Sequence, residues 1–268
     1  MDDAARSGPV AELVRASKAY TAATVWRGPS VMAVREVSLA LEAGEVLGIV
    51  GESGSGKSTL GRMLAGLLEP SAGVARFRGR DLRSLRGADL RALRAEVQYV
   101  FQNASAALSP RRQVGASLEE PLRIQGGLDA PARRQRIERA LAQVGLGDSL
   151  LGRHPHELSG GQRQRAAIAR SLVLEPAVLI ADEPVASLDV SIQAQILQVL
   201  HALRGASGMT IVLISHDIAV INALADRVAV MHQGQIVEIG PRRQVLFEPR
   251  HDYTKQLLQA CAALGLQR

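Results

Sequence analysis

The sequence predicts an α/β fold: a mainly parallel sheet, an antiparallel β layer ahead of it, and a helical segment inserted between its strands. Three observations predict it. Short, wholly apolar runs at Val46-Leu47-Gly48-Ile49-Val50, Val178-Leu179-Ile180-Ala181 and Ile211-Val212-Leu213-Ile214 have the length and composition of strands buried on both faces. Val37, Leu39 and Leu41 alternate instead, as in a half-buried antiparallel strand. Between about residue 102 and Leu174 the pattern turns helical, with Ile137, Ala140, Leu141 and Val144 on one stripe.

Taken in order, residues 1 to 8 read as a frayed end. Leu13-Val14 and Val31 to Val34 read as short strands joined by a turn at Gly28-Pro29. One Trp, three Tyr and three Phe are the only aromatic residues, and Tyr20 and Trp26 both fall in this early region, where either can stack on a base or pack on the sheet. The strand at 46–50 then runs into Gly51-Glu52-Ser53-Gly54-Ser55-Gly56-Lys57-Ser58-Thr59, a match to G-x-x-x-x-G-K-[ST]. Leu60, Met63, Leu64, Leu67 and Leu68 follow at helical spacing, so strand, glycine loop and helix stand in the order a phosphate site requires. Glycines let backbone N–H groups converge on phosphate oxygens at a helix N-terminus; Lys57 would neutralise the β- and γ-phosphates, and the Ser58 hydroxyl would ligate Mg²⁺.

Val74 to Phe77 reads as a further strand, Asp89 to Ala95 as a helical turn, and Val97 to Phe101 as a strand that delivers Gln102 at its end. Arg133, Arg134, Arg136 and Arg139 line one side of the next helix and read as a solvated face, because no aromatics interleave for base stacking. In His154-Pro155-His156-Glu157 the proline breaks any regular ligand spacing and no cysteine is near, which argues against a metal site. Leu158-Ser159-Gly160-Gly161-Gln162 places an N-cap serine and paired glycines at a helix start, a second anion-binding terminus.

The strand at 178–181 ends in Asp182-Glu183, where a carboxylate can hold Mg²⁺ and its neighbour can accept a proton from an attacking water. Ser187-Leu188-Asp189 leads into a helix with Ile192, Ile196, Val199 and Leu203 on one stripe. The strand at 211–214 ends in Ser215-His216-Asp217, so Gly51, Gln102, Asp182 and His216 all stand at carboxyl ends of parallel strands, where open sheets bind ligands. Val228 to Met231 and Gln235 to Ile239 read as a hairpin, and Val245 to Leu266 as helical.

Composition bounds the class. With 268 residues, 47% hydrophobic and 22% charged, the chain has ample core for one large domain or two lobes. Thirty-two Lys and Arg against 26 Asp and Glu leave a net charge of +6, favouring anionic partners without choosing among nucleotide, nucleic acid and membrane. Cys261 is the single cysteine, which excludes an intrachain disulfide or a Cys₄ zinc site and suits a reducing compartment. The acidic start Met1-Asp2-Asp3 argues against a signal peptide, and no apolar run approaches the ~18 residues of a membrane span. A protein of this composition working at a membrane is expected to be held there by another chain.

Together these residues resemble the ATP-binding subunit of an ABC transporter: GESGSGKST as Walker A, Gln102 as the Q-loop, LSGGQ at 158–162 as the signature, VLIADEP at 178–184 as Walker B, and His216 as the switch histidine. The resemblance implies a P-loop NTPase core at 10–101 and 175–240, a helical signature subdomain at 102–174 and a helical tail at 241–268. It also implies a head-to-tail pair of such domains enclosing two ATP molecules with Mg²⁺. Tyr20 would then stack on adenine, and Gly51, Ser53, Gly54, Ser55, Gly56, Lys57, Ser58 and Thr59 would hold the phosphates. Ser159, Gly160, Gly161, Gln162 and Asp189 would serve the partner's nucleotide. Glu183 is implied as general base, His216 as γ-phosphate contact, and Ser58, Gln102 and Asp182 as metal ligands.

Within the family, VFQNASAALSPRRQVG, SLDVSIQAQIL and EPRHDYTKQLL look like the dipeptide, oligopeptide and nickel importer ATPases, with Asp252 where their tails carry proline and Ser109 where asparagine is common. The expected partners are a second ATPase subunit, same or paralogous, two membrane permeases and, indirectly, an extracytoplasmic solute-binding protein, with the chain peripheral on the cytoplasmic face of the inner membrane. The alternative, a soluble ABC ATPase acting on nucleic acid or the ribosome, lacks the long coiled coil or second cassette of those members.

Overall fold

A computed structural model describes residues 8–20, 30–102, 107–185 and 189–263. Trp26, the Gly28-Pro29 turn and Ser187-Leu188 lie outside the described residues. The described residues divide into two compact units, one up to Arg86 and from Thr210 onward, the other spanning Gly87–Met209.

In the first unit, β1 (Ala11–Tyr20) pairs antiparallel with β2 (Val31–Leu41) and with β4 (Ala72–Phe77), and β5 (Arg80–Asp81) closes the layer in the order β2-β1-β4-β5. These strands are longer than the apolar pattern suggests, for a local reason. Arg15 and Glu36 both take positive φ, 45° each, and the β1–β2 register shifts between Leu13 and Ala16. A bulge there breaks the period-2 alternation, so one strand reads as two fragments.

The second layer of this unit contains β3 (Val46–Val50), parallel to both β8 (Thr210–Ile214) and β9 (Arg227–His232). Every residue of β3 and β8 is buried, as their unbroken apolar runs demand. The expected hairpin forms between β9 and β10 (Gln235–Pro241). Helix α1 (Lys57–Leu64) buries Leu60, Met63 and Leu64, but the expected stripe stops there: Gly66 takes φ 66° and Leu67 is exposed. Leu67 N–H closes back on Arg62 O, a left-handed C-terminal cap. Helix α7 (Ile218–Leu224) packs on β3. The tail is two helices, α8 (Arg242–Phe247) and α9 (Asp252–Ala263), because Pro249 supplies no N–H and disfavours helix in the residue before it.

The second unit holds the parallel pair β6 (Val97–Val100) and β7 (Val178–Asp182), with α2 (Gly87–Glu96), α3 (Val114–Gln125), α4 (Ala130–Gln143), α5 (Gly160–Leu172) and α6 (Val190–Ser207). The α4 arginines are laced into ion pairs: Arg133 with Glu119 of α3 at 2.9 Å, and Arg136 with Glu175 at 3.0 Å. They are already matched to carboxylates, which accounts for much of the basic face. Among the described residues no helix is long and apolar enough to cross a membrane.

Candidate nucleotide site

The loop Gly51 to Thr59 leaves β3 and enters α1 under tight backbone constraint. Gly51 and Gly56 take φ 149° and 104°, and a Cβ at either would lie 2.2 Å from a backbone oxygen, Met231 O and Ala33 O respectively. Glycine is therefore required twice over, by conformation and by space. Gly56 is the N-cap of α1, so no side chain caps the helix, and no acidic residue stands in its first turn. An uncapped N-terminus with positive partial charge is the physical prerequisite for binding an anion.

Lys57, 5% exposed, donates from Nζ to Gly51 O and Glu52 O, each at 2.8 Å. These bonds fold the ammonium back onto the loop, where it lies beside the helix N-terminus as a positive group that a phosphate can engage. Buried Ser55 Oγ finds no hydrogen-bond partner among the described residues, a polar atom of the kind a ligand or water completes. Ser58 and Thr59 are half-buried in the first turn of the same helix, while Ser53 and Gly54 are exposed. The loop fits a polyphosphate.

Two strand ends meet in the first unit. Ile49 of β3 pairs with Ile214 of β8, so the loop at Gly51 and the Ser215-His216 turn leave the same edge of parallel neighbours. His216 is exposed, and its turn is held by Asp217, whose N–H donates to Ser215 Oγ at 2.9 Å and whose carboxylate caps Ala219 N–H of α7 at 2.8 Å. Tyr20 ends β1 opposite Val31 and is 42% exposed, with Lys18 Nζ 5.9 Å from its ring centre.

Two more strand ends meet in the second unit. Val100 of β6 pairs with Ala181 of β7, bringing Gln102 to Glu183: its amide Nε2 donates to Glu183 Oε2 at 2.7 Å. Asp182 is buried and accepts a hydrogen bond from the Tyr99 hydroxyl at 2.7 Å. Glu183 takes φ 48°, a left-handed conformation that costs a non-glycine residue about 1–2 kcal/mol. The surrounding bonds hold it there. Gln164 of α5, itself buried, donates from Nε2 to Pro184 O at 2.7 Å, and Gln193 of α6 donates to Val185 O at 3.3 Å. Tyr99 and Gln164 escaped sequence reasoning, although a glutamine on the buried side of an apolar helix was a legible signal of a polar partner.

The signature loop is also built in this unit. Ser159 Oγ accepts from Gln162 N–H at 3.2 Å and Gln162 Oε1 accepts from Ser159 N–H at 3.0 Å, a reciprocal capping box at the head of α5. The two glycines differ. A Cβ at Gly160 would meet nothing within 4 Å, whereas at Gly161 it would lie 2.8 Å from Ile192 Cγ2. Gly161 thus lets α5 seat against the first turn of α6, whose N-cap position is Asp189; Ile192 N–H and Gln193 N–H both bond the Asp189 carbonyl at 2.9 Å. The structure brings together the signature serine, Gly161 and the Asp189 turn as one mechanical unit.

Among the described residues no group of three His, Cys, Asp or Glu could cage a metal. The proposed metal donors Ser58, Gln102 and Asp182 are oxygen ligands, the chemistry that suits Mg²⁺ held partly by substrate phosphates. With its amide nitrogen bound to Glu183, Gln102 would offer a metal its carbonyl oxygen.

Known proteins share these features. The ABC transporter family model matches residues 34–186. A protein of Brucella abortus named as a peptide import ATP-binding protein is 48% identical over 229 residues, covering 85% of this chain and 69% of the relative. The glutathione import ATP-binding protein of Escherichia coli is 50% identical over 230 residues, 86% of this chain but 37% of that longer protein. Among solved structures, a dimeric ATP-binding cassette in a post-hydrolysis state bound to ADP and Pi superposes with TM-score 0.77 at 30% identity, over 87% of this chain and 99% of the other. Part of an ABC transporter complex from Clostridium perfringens superposes with TM-score 0.78 at 28% identity, over 97% and 99%. The chain belongs to the ABC transporter family and is one of its ATP-hydrolysing, ATP-binding subunits.

Proposed function

We propose that this ATPase energises import of peptides or a similar small solute, acting from the cytoplasmic face of the membrane through two permease subunits and a second ATPase subunit. The observation that carries the nucleotide part is the loop Gly51 to Thr59: two backbone-locked glycines and an uncapped helix start, with the buried Lys57 ammonium drawn onto the loop's own carbonyls. The names of the relatives, peptide and glutathione import proteins, support the cargo class.

In this reading Lys57 exchanges its carbonyl partners for β- and γ-phosphate oxygens, while the loop's N–H groups bind the rest of the polyphosphate. Tyr20, exposed at the end of β1, stacks on the adenine. Mg²⁺, where Ser58, Asp182 and Gln102 would hold it, supplies charge neutralisation on the phosphates. Glu183 accepts the proton of the attacking water at its carboxylate, with Gln102 orienting it and His216 contacting the γ-phosphate. Ser159, Gly160, Gly161, Gln162 and Asp189 contact the nucleotide of the partner subunit, so the capping box and the open space at Gly160 serve a site the chain does not complete alone.

The test is reconstitution in vesicles with permeases and a solute-binding protein of the peptide-importer type from the same organism. ATP-dependent uptake of a labelled peptide, abolished by Lys57→Ala, is the expected result; ATP hydrolysis coupled to no solute flux, with tight salt-dependent RNA or DNA binding instead, would overturn the importer reading.

A further inference from the structure

The tail motif His251-Asp252-Tyr253-Thr254 takes no part in the chemistry above, yet it touches the phosphate loop. The Glu52 N–H donates to the Tyr253 hydroxyl at 3.4 Å, across 201 residues of sequence. The Tyr253 ring also lies on the His232 ring at the end of β9, centroids 3.8 Å apart and tilted 32°. Burial of the phenol and the Glu52 carboxylate beside it push its pKa above the ordinary value, so it stays protonated.

The start of α9 is fixed in turn. Glu238 on β10 accepts from Arg250 N–H at 2.9 Å and His251 N–H at 3.1 Å, and Tyr253 N–H donates to His251 Nδ1 at 3.1 Å. On its other side the loop is held by the β9–β10 turn, where Gly234 N–H donates to Ser55 O at 3.0 Å. Glu52 is therefore tied to the tail, and its carbonyl accepts a hydrogen bond from Lys57 Nζ.

We propose that Tyr253 is a positioning residue for ATP binding: it fixes the Glu52 peptide, and through it the outer half of the phosphate loop and the resting place of Lys57. The proposal rests on the assignment of Gly51 to Thr59 as the ATP site. A loop fixed before the nucleotide arrives loses less freedom on binding, so removing the hydroxyl weakens affinity while Glu183, Gln102 and His216, proposed to act in the hydrolysis step, keep their own contacts.

The test compares full-length wild type, Tyr253→Phe, Tyr253→Ala and Lys57→Ala by ATP titration calorimetry, steady-state hydrolysis with the partner cassette, and melting without nucleotide. Tyr253→Phe keeps the ring on His232 and loses one hydrogen bond, so the expected result is an ATP Kd and KM raised about 3- to 10-fold. Its kcat at saturating ATP stays within about twofold and its nucleotide-free melting stays near wild type. Tyr253→Ala should weaken binding further. An unchanged Kd in Tyr253→Phe, with wild type binding ATP and Lys57→Ala not, overturns this inference alone. A Kd that rises only in step with lost melting temperature also overturns it, because that is packing alone. Absence of ATP binding by wild type overturns the site assignment and the inference with it.

Discussion

Glu183 stands in a left-handed backbone conformation beside Gln102, and that pairing makes its chemistry separable from its structure. In Glu183→Gln the amide oxygen can still accept the Gln102 hydrogen bond, so the strand end keeps its shape while the proton acceptor is lost. Phosphate release should fall by about 10²–10⁴-fold with ATP affinity retained. Wild-type turnover in that variant, with Mg²⁺ and a competent partner present, would remove Glu183 as the base. Gly161 tests packing by the same logic. Gly161→Ala puts a methyl 2.8 Å from Ile192 Cγ2 and should lower stability by about 1–3 kcal/mol in urea melts. Adding Ile192→Ala to it should cost less than the two single losses summed, since Ala lacks the Cγ2 that obstructs the new methyl.

At the scale of elements, helix ends and strand ends carry the function, and two anchors are testable. Ser159→Ala breaks the capping box of α5 and should cost about 1 kcal/mol of stability in denaturant melts. Glu238 anchors α9. Burial disfavours its charged form, but the hydrogen bonds it accepts, Arg250 N–H and His251 N–H among them, outweigh that and hold its pKa below the usual glutamate value. A lowered folded pKa means the carboxylate's contribution is present above the unfolded value of about 4.3 and disappears as pH falls through the folded one. The melting difference between wild type and Glu238→Gln should therefore be largest near neutral pH and close in acid; a difference that grows as pH falls would refute the anchor.

For the molecule as a whole, the sequence was legible where local chemistry dictates structure. Buried strands read as apolar runs, the phosphate loop as its glycines and lysine, and the head of α5 as an N-cap Ser159 followed by paired glycines. Contacts between distant segments were not legible. Tyr99 to Asp182, Gln164 to Pro184 and Tyr253 to Glu52 depend on which strands and helices become neighbours; a buried glutamine signals that Gln164 has a polar partner, but nothing local in the chain identifies the partner in any of the three. The length of β1 was hidden by the shift at Arg15, which interrupts the alternation that identifies a strand.

The same contrast bears on what the molecule does. On the proposed reading, one phosphate loop and one signature loop in a single chain are two half-sites, and the exposed Ser159 and Gly160 would serve a nucleotide that another subunit holds. Specific ATPase activity measured against chain concentration, beside mass determination in the same solution, tests this most directly. Negligible turnover is expected for the monomer, with a rise in activity per chain as a second cassette, of the same or a paralogous sequence, associates. Turnover per chain independent of concentration, from a demonstrated monomer, would contradict it.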